Sequence, residues 1–186
     1  MVPVSWTALL VRRFIETDGE RSSQVDLITG TEVTVARVVP VPPERMWELV
    51  TAVDRIGEWS PETIDGGWGD DEPKLVPGTR FTGRNRFPNG LEATAVCEIT
   101  EVVPGEVFAW SVLDEDGAAG SLWRYHLSAG DGGTTVVRQT FRHGPGDTGA
   151  REEADAAAAM DDRLVTLCAN MLATIAAMSA DPSATD

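Results

Sequence analysis

The stretch that decides the fold is residues 80–98, which read RFTGRNRFPNGLEATAVCE. Side chains alternate in character before and after the central Pro-Asn-Gly, as in two half-buried β-strands joined by a tight turn. In the first strand, arginine and threonine fall on one side, whereas the other side carries Phe81, Gly83, Asn85 and Phe87. The segment therefore predicts a β-hairpin with one buried face and one solvent-exposed face.

The register of this hairpin follows from the length of its loop. A two-residue Asn-Gly turn would pair Arg86 with Ala93 and so mix the two faces. A three-residue loop instead pairs Arg86 with Glu92, which places arginines opposite glutamates and apolar residues opposite apolar residues. Pro, Asn and Gly at 88–90 also suit a type I turn that ends in a left-handed residue. We therefore predict a three-residue loop and an exposed Arg/Glu ladder.

The sequence before the hairpin predicts one strand and two short helices. Residues 33–39 are rich in Val, as strands are. Pro43 begins a helix whose apolar side carries Met46, Leu49, Val50 and Val53. A second helical turn is predicted at 55–59, and the glycine-rich, acidic stretch 65–72 predicts a short strand and a solvated loop.

Three strands and one long helix are predicted after the hairpin. Turn residues separate the strands at 106–113, 120–128 and 134–142. The helix covers about 152–179, and its apolar stripe consists of Met160, Leu164, Leu167, Cys168, Met171, Ile175 and Met178. In the last strand, periodicity does not decide which side is buried.

The two ends of the chain differ from this α+β pattern. Ser5 is a candidate cap for a short helix that would carry on one face Trp6, Leu9, Leu10 and Phe14. Residues 1–30 are therefore predicted to be an extension, either a short helix or disordered. Residues 181–186 are polar and predict a disordered tail, which leaves one ligand-binding domain over 31–180.

Composition excludes several classes of function. The 186 residues carry 15 Lys and Arg against 30 Asp and Glu, a formal net charge of -15. Because a phosphate backbone or an anionic membrane would be repelled, we expect no nucleic-acid partner and no stable membrane association. No stretch approaches the ~20 apolar residues of a spanning helix, and a secretory pattern is lacking. Cys97 and Cys168 fit two buried thiols in a reducing cytoplasm, which is the expected location.

A curved sheet wrapped around the long helix would bury both apolar faces. Gly83, Ala93 and Ala95 lie in the middle of adjacent predicted strands. They either let the helix approach closely or leave room for a ligand, and the pattern by itself slightly favours a filled core. The methionines of the helix favour a ligand, because flexible thioethers adapt to varied apolar shapes.

Five segments resemble one known family. They are 33–39 (VTVARVV), 41–47 (VPPERMW), 57–62 (GEWSPE), 77–86 (PGTRFTGRNR) and 123–125 (WRY). They resemble the polyketide cyclase/dehydrase and lipid-transport branch of the START-like (Bet v 1-like, SRPBCC) superfamily. The resemblance covers about residues 31–178 and implies a helix-grip fold. In this α+β fold, six or seven antiparallel strands curve around the C-terminal helix and leave a hydrophobic cavity.

The resemblance also implies that the last strand turns inward Val136, Arg138 and Thr140, rather than Val137, Gln139 and Phe141. This orientation would place a cation in the cavity. An enzyme of this family would move protons with a few buried polar groups, for which the candidates are Tyr125, Arg138, Asn85 and Thr140. His126 and His143 fall on the opposite parity and are predicted at the surface. No inward carboxylate, catalytic triad or metal site is predicted.

We therefore expect binding or carriage of a small hydrophobic molecule (a lipid, polyketide or isoprenoid) without a cofactor. The alternative is a polyketide cyclase, aromatase or dehydratase that uses Arg138 and Tyr125, because this fold serves carriers and enzymes alike. An interaction module with a purely structural cavity is a weaker option, and a homodimer stays open. The predicted ligand-binding residues are Trp59, Phe81, Asn85, Ala95, Cys97, Trp110, Trp123, Tyr125, Arg138, Leu164, Cys168, Met171 and Ile175.

Overall fold

The hairpin at residues 80–98 forms in the register that its loop length predicts. In the computed structural model of the protein, Arg86 lies opposite Glu92, and the arginines and glutamates share the exposed face. The Gly90 N–H donates to the Phe87 carbonyl at 2.8 Å. Gly90 adopts φ 84°, the left-handed conformation that ends a three-residue loop. The prediction of this register is confirmed.

The structure describes residues 8–12, 26–69, 74–87, 90–153 and 155–185, so Pro88 and Asn89 lie outside it. The strands in these ranges are β1 Ala8–Arg12, β2 Glu32–Val39, β3 Thr63–Gly67, β4 Arg80–Arg86, β5 Glu92–Val103, β6 Val107–Leu113, β7 Ala119–Ala129 and β8 Thr135–His143. The α-helices are α1 Pro43–Thr51, α2 Gly149–Glu152 and α3 Ala156–Ser179. Short 3₁₀ helices form at Val53–Glu58, Asp131–Gly133 and Pro182–Thr185.

The strands of the described residues form one antiparallel sheet in the order β1-β2-β8-β7-β6-β5-β4-β3. The long helix α3 packs against it and contacts β2 most closely. α1 and the 3₁₀ helix that follows it provide the two short helices expected after the first predicted strand. The predicted helix-grip architecture is confirmed, and β1 is an additional strand.

The helix α3 forms because its capping and its apolar stripe agree. The Asp155 carboxylate accepts a hydrogen bond from the Ala158 N–H at 3.0 Å and caps the N-terminus. The stripe is buried except at Cys168, and each buried Leu, Ile or Met contributes roughly 1.5–3 kcal/mol. Among the described helices, none combines the length and the apolarity that crossing a bilayer requires.

Residues 8–12 form a strand, so the helix predicted for this segment is wrong there. β1 pairs antiparallel with β2, and Leu10 lies opposite Thr34. Without β1, the outer edge of β2 would expose unpaired N–H and C=O groups, which a further strand satisfies. The rest of the predicted helix lies outside the described residues.

Residues 181–185 also differ from the prediction, because they pack against the protein instead of forming a disordered tail. The Asp181 carboxylate accepts from Arg55 at 2.7 Å and from Trp59 Nε1 at 2.9 Å. Ala184, in the following 3₁₀ helix, is 1% exposed. The composition of the tail is polar, but its polar groups have partners that only the tertiary structure brings near.

The 3₁₀ helix Val53–Glu58 lies so close to β3 that glycine is required at the contact. A Cβ atom on Gly66 would lie 2.3 Å from the Val53 carbonyl oxygen, and one on Gly57 would lie 2.5 Å from the Ile64 carbonyl oxygen. Both distances are shorter than any side chain tolerates. This pair of glycines therefore fixes how the short helices sit over the end of the sheet.

Candidate functional site

A cavity of about 1010 Å³ lies between the sheet and α3. This volume is at the upper end of the roughly 300–1,000 Å³ that is common for small-molecule sites. Strands β4 to β8 supply its floor, and α1, α3 and the 3₁₀ helix Val53–Glu58 supply its walls. The cavity therefore occupies the space that a filled core would have taken.

Aromatic side chains form most of the apolar floor, namely Phe81, Phe108, Trp110, Trp123, Tyr125 and Phe141. Trp110 and Trp123 are register partners, and their rings stack with 6.1 Å between centroids and 5° between planes. Phe141 meets Trp123 edge-on at 5.0 Å. Stacked and edge-on rings hold one another in place and present a rigid apolar surface to the cavity.

The small residues of β4 and β5 leave the cavity open. Gly83, Ala93 and Ala95 all line it, beside Asn85 and Cys97. A Cβ atom on Gly83 would meet only a Thr63 methyl group, at 3.8 Å. These small residues therefore leave room between the sheet and the helix, and they do not serve a close approach of the helix.

The inward face of β8 is the reverse of the one that the resemblance implied. Gln139 is 5% exposed and lines the cavity, whereas Arg138 is exposed on the other face. The pairing with β7 decides the face, because Gln139 lies opposite the buried Tyr125 and directly opposed residues share a face. Thr140 also points away and shares a 2.8 Å hydrogen bond with Thr34. Arg138 therefore supplies no cation to the cavity.

Tyr125 and Gln139 place two polar groups in this apolar floor. Tyr125 is 2% exposed, and burial raises the pKa of its phenol well above the ordinary value, so that the hydroxyl stays protonated. The Oε1 atom of Gln139 is buried and accepts no hydrogen bond from any described residue. A protonated phenol and an amide oxygen without a donor among the described residues therefore lie at this point of the sheet.

His143 is buried at 2% exposure and lines the cavity, so its predicted surface position is wrong. Its Nδ1 lies 2.8 Å from the Gly144 carbonyl, which only accepts, so Nδ1 carries the proton. Nε2 then accepts from the Thr148 hydroxyl at 2.8 Å. Burial lowers the pKa of His143 and favours the neutral ring, and the nearby Arg151 acts in the same direction.

A carboxylate that sequence reasoning missed also lines the cavity. Glu62 accepts from both terminal nitrogens of Arg163 at 2.6 and 2.5 Å, and from Asn170 at 3.1 Å. Glu62 precedes β3 in an irregular loop, where parity assigns no face. Arg163 lies three residues after Met160 and four before Leu167, which places it beside the apolar stripe of the helix. This position is the feature of the sequence that could have indicated a charged pair at the cavity.

The predicted ligand-binding residues divide into two groups. Those that line the cavity are Phe81, Asn85, Ala95, Cys97, Trp110, Trp123, Tyr125 and Met171. The others lie elsewhere: Leu164 and Ile175 are buried in the core, Cys168 is partly exposed, Arg138 faces solvent, and Trp59 binds Asp181. The stripe of α3 is wider than the cavity, so one helix supplies both lining and core.

In the part of the chain that the structure describes, the cavity thiol and the acidic residues form neither an activated nucleophile nor a metal site. Burial raises the pKa of Cys97 to about 12, so its thiol stays protonated and is a poor nucleophile. Among the described residues, no cluster of His, Cys, Asp and Glu has the arrangement of a metal site.

Comparisons with known proteins agree with this architecture. A family model described as polyketide cyclase / dehydrase and lipid transport matches residues 30–176. The polyketide-cyclase-like protein Cgl2372 of Corynebacterium glutamicum is 25% identical with a TM-score of 0.56, over 80% of this chain and 88% of that one. A search of curated proteins found no match.

Two further solved structures share the fold at lower identity. Protein Ms6760 of Mycobacterium smegmatis is 19% identical with a TM-score of 0.58, over 83% of this chain and 92% of that one. The di-domain ARO/CYC protein BexL of the BE-7585A biosynthetic pathway is 15% identical with a TM-score of 0.59. The match covers 80% of this chain but 48% of BexL, about one of its two domains.

Proposed function

Because the chain belongs to the polyketide cyclase / dehydrase and lipid transport family, we propose that it binds and carries a small hydrophobic molecule. The observation that carries the proposal is the cavity of about 1010 Å³ between the sheet and α3. Its floor is largely aromatic, so a bound molecule would remove apolar surface from water on both sides. A lipid, polyketide or isoprenoid has the size and apolarity for such a site.

The chemistry of the lining favours carriage over catalysis. Tyr125 can donate a proton and the neutral His143 can accept one, but the two groups lie apart along the sheet. Tyr125 is opposite Gln139, and His143 is four residues further along β8, so the backbone positions that carry the two groups are about 13 Å apart at 3.3 Å per residue. This spacing does not favour an acid and a base that act together on one carbon–carbon unit.

A cyclase or dehydratase is the second candidate function, and the pair formed by His143 and Thr148 is the observation that favours it. The Nε2 lone pair of His143 accepts from a threonine hydroxyl that also lines the cavity. Displacement of that hydroxyl by a substrate would leave a neutral base facing the cavity. Arg138 cannot take part in such a reaction, because its side chain faces solvent.

The first experiment identifies what the protein holds. Protein purified without detergent is extracted with organic solvent, and the extract is analysed by mass spectrometry. A stoichiometric apolar molecule that is recovered unchanged after incubation supports carriage, whereas its conversion into a product supports catalysis. Loss of that conversion in His143→Gln would assign the base.

The second experiment fills the cavity. In Gly83→Leu, the new side chain points into the space beside Thr63 and should lower the affinity for a neutral naphthalene probe at least tenfold. Gly67→Leu adds the same side chain to β3 at a glycine that does not line the cavity, and it should bind the probe like the wild type. Affinities are measured by quenching of tryptophan fluorescence. Equal affinities in both variants would contradict binding in this cavity.

A further inference from the structure

Among the residues that the structure describes, none donates a hydrogen bond to the buried amide oxygen of Gln139. The residue is 5% exposed and lines the cavity. An amide that is buried without hydrogen bonds destabilises a fold, so polar groups in this state are rare. A leucine or methionine would fill the same space without that penalty.

We propose that Gln139 is a specificity-determining residue whose Oε1 atom accepts a hydrogen bond from an uncharged ligand that carries a hydroxyl group. This inference rests on the proposed function, since it assumes that the cavity holds the ligand. It restricts the class of expected ligands from all apolar molecules to neutral molecules that carry a hydrogen-bond donor. A hydrocarbon chain or an ionised fatty acid has no hydrogen to donate and would leave Oε1 unpaired.

The neighbouring Tyr125 completes the recognition of a hydroxyl group. Tyr125 and Gln139 are register partners on β7 and β8, so their Cβ atoms are about 4.5–5.5 Å apart on one face. One ligand oxygen between them donates its hydrogen to Gln139 and accepts from the phenol of Tyr125. The next pair of register partners on the same face, Trp123 and Phe141, is aromatic and contacts the apolar body of the ligand.

The charges around the cavity argue for a neutral ligand. In the part of the chain that the structure describes, the charged lining residues are Glu62, Glu153 and Arg163. Glu62 and Arg163 neutralise each other through two hydrogen bonds, and Glu153 is exposed at the rim. His143 is held neutral by its burial. A carboxylate would therefore enter a low-dielectric floor without a free cation to pair with.

The test compares three probes that share a naphthalene ring and differ only in the group at position 2: 2-naphthol, 2-methoxynaphthalene and 2-naphthoate. Binding to the full chain is measured by quenching of tryptophan fluorescence at pH 7. The decisive quantity is the ratio of the Kd of 2-methoxynaphthalene to that of 2-naphthol, since it cancels the apolar contribution. In Gln139→Leu, this ratio should fall about tenfold from its wild-type value.

Two variants separate recognition from packing. Gln139→Met should lower the ratio as Gln139→Leu does, and both should keep a Tm equal to or above that of the wild type. Tyr125→Phe should weaken both neutral probes and leave their ratio unchanged, because its phenol donates to either oxygen. A fall in Tm in both Gln139 variants would show that the amide serves packing, and it would overturn the proposal.

Further outcomes of the binding measurements would overturn the role of Gln139 or the proposed function. A ratio that changes less than threefold in the Gln139 variants, or 2-naphthoate binding as tightly as 2-naphthol, overturns this inference alone. If neither neutral probe binds the wild type, the proposed function fails and the inference fails with it. The two failures are therefore distinguishable.

Discussion

Adjacent residues of β8 have opposite environments, and this difference decides which groups reach a ligand. Gln139 points into the cavity, and Arg138 points to solvent. Both faces of the strand mix apolar and polar residues, so alternation in the sequence does not choose between them. The buried Tyr125 opposite Gln139 makes the choice, because register partners point to the same side of a sheet.

His143 should make the stability of the protein depend on pH near neutrality. Burial lowers its pKa in the folded state, so the unfolded chain takes up a proton first as the pH falls below about 6.5. Stability is therefore complete above that pH and decreases as the pH falls through this range. Urea denaturation between pH 5 and 8 measures the effect.

The control for this prediction uses the other histidine. His126→Gln leaves His143 as the sole histidine, and it should retain the decrease in stability towards pH 5. His143→Gln should remove it and flatten the profile. A decrease that survives in His143→Gln would assign the pH dependence to groups other than this histidine. Asp26 is not among them, because a carboxyl whose pKa is lowered by its hydrogen bonds to Thr29 and Ile28 is ionised in the folded and the unfolded chain throughout this range.

At the scale of elements, the contact between the 3₁₀ helix Val53–Glu58 and β3 depends on Gly66. We expect Gly66→Ala to destabilise the protein by about 2 kcal/mol or more, because the new Cβ atom would lie 2.3 Å from a backbone oxygen. The neighbouring Gly67→Ala meets only the Thr82 hydroxyl oxygen at 4.0 Å and should change stability by less than about 0.5 kcal/mol. Urea denaturation of both variants compares them, and equal stabilities would contradict a close contact.

Most elements could be predicted from local pattern, and the failures have a common cause. The hairpin, α1 and α3 were predictable because alternation, a starting proline and apolar stripes act within a few residues of one another. The strand at 8–12 was missed because a short apolar segment suits a helix or a strand equally. What decides it is the free edge of β2, whose residues lie 20 to 28 positions away in sequence from their partners in β1.

At the scale of the whole molecule, Asp181 attaches the end of the chain to the 3₁₀ helix Val53–Glu58. Its side chain is 8% exposed and accepts from Arg55 and Trp59. We expect Asp181→Ala to lower stability by about 2 kcal/mol, because it leaves the Arg55 guanidinium and the Trp59 N–H without their shared acceptor. The change is measured as a shift of the urea midpoint.

Glu58 provides the matched control, because it binds the same arginine at the same 2.7 Å distance but is 54% exposed. Glu58→Gln should leave the midpoint nearly unchanged, since water replaces an exposed partner. If the two variants were equally stable, the buried Asp181 carboxylate would have no special role in holding this segment against the protein.

The sequence by itself determined the architecture, the register of the hairpin, the aromatic floor and the small residues beside it. These features depend on neighbours along the chain or across one tight turn, where the geometry of the backbone leaves few options. Only the tertiary structure decided which face of β8 is buried, and that Glu62, His143 and Gln139 belong to the cavity. Their positions depend on pairing and packing between segments far apart in sequence. A change of register by one residue would have placed Arg138 in the cavity instead of Gln139, and the cavity floor would then have carried a charge.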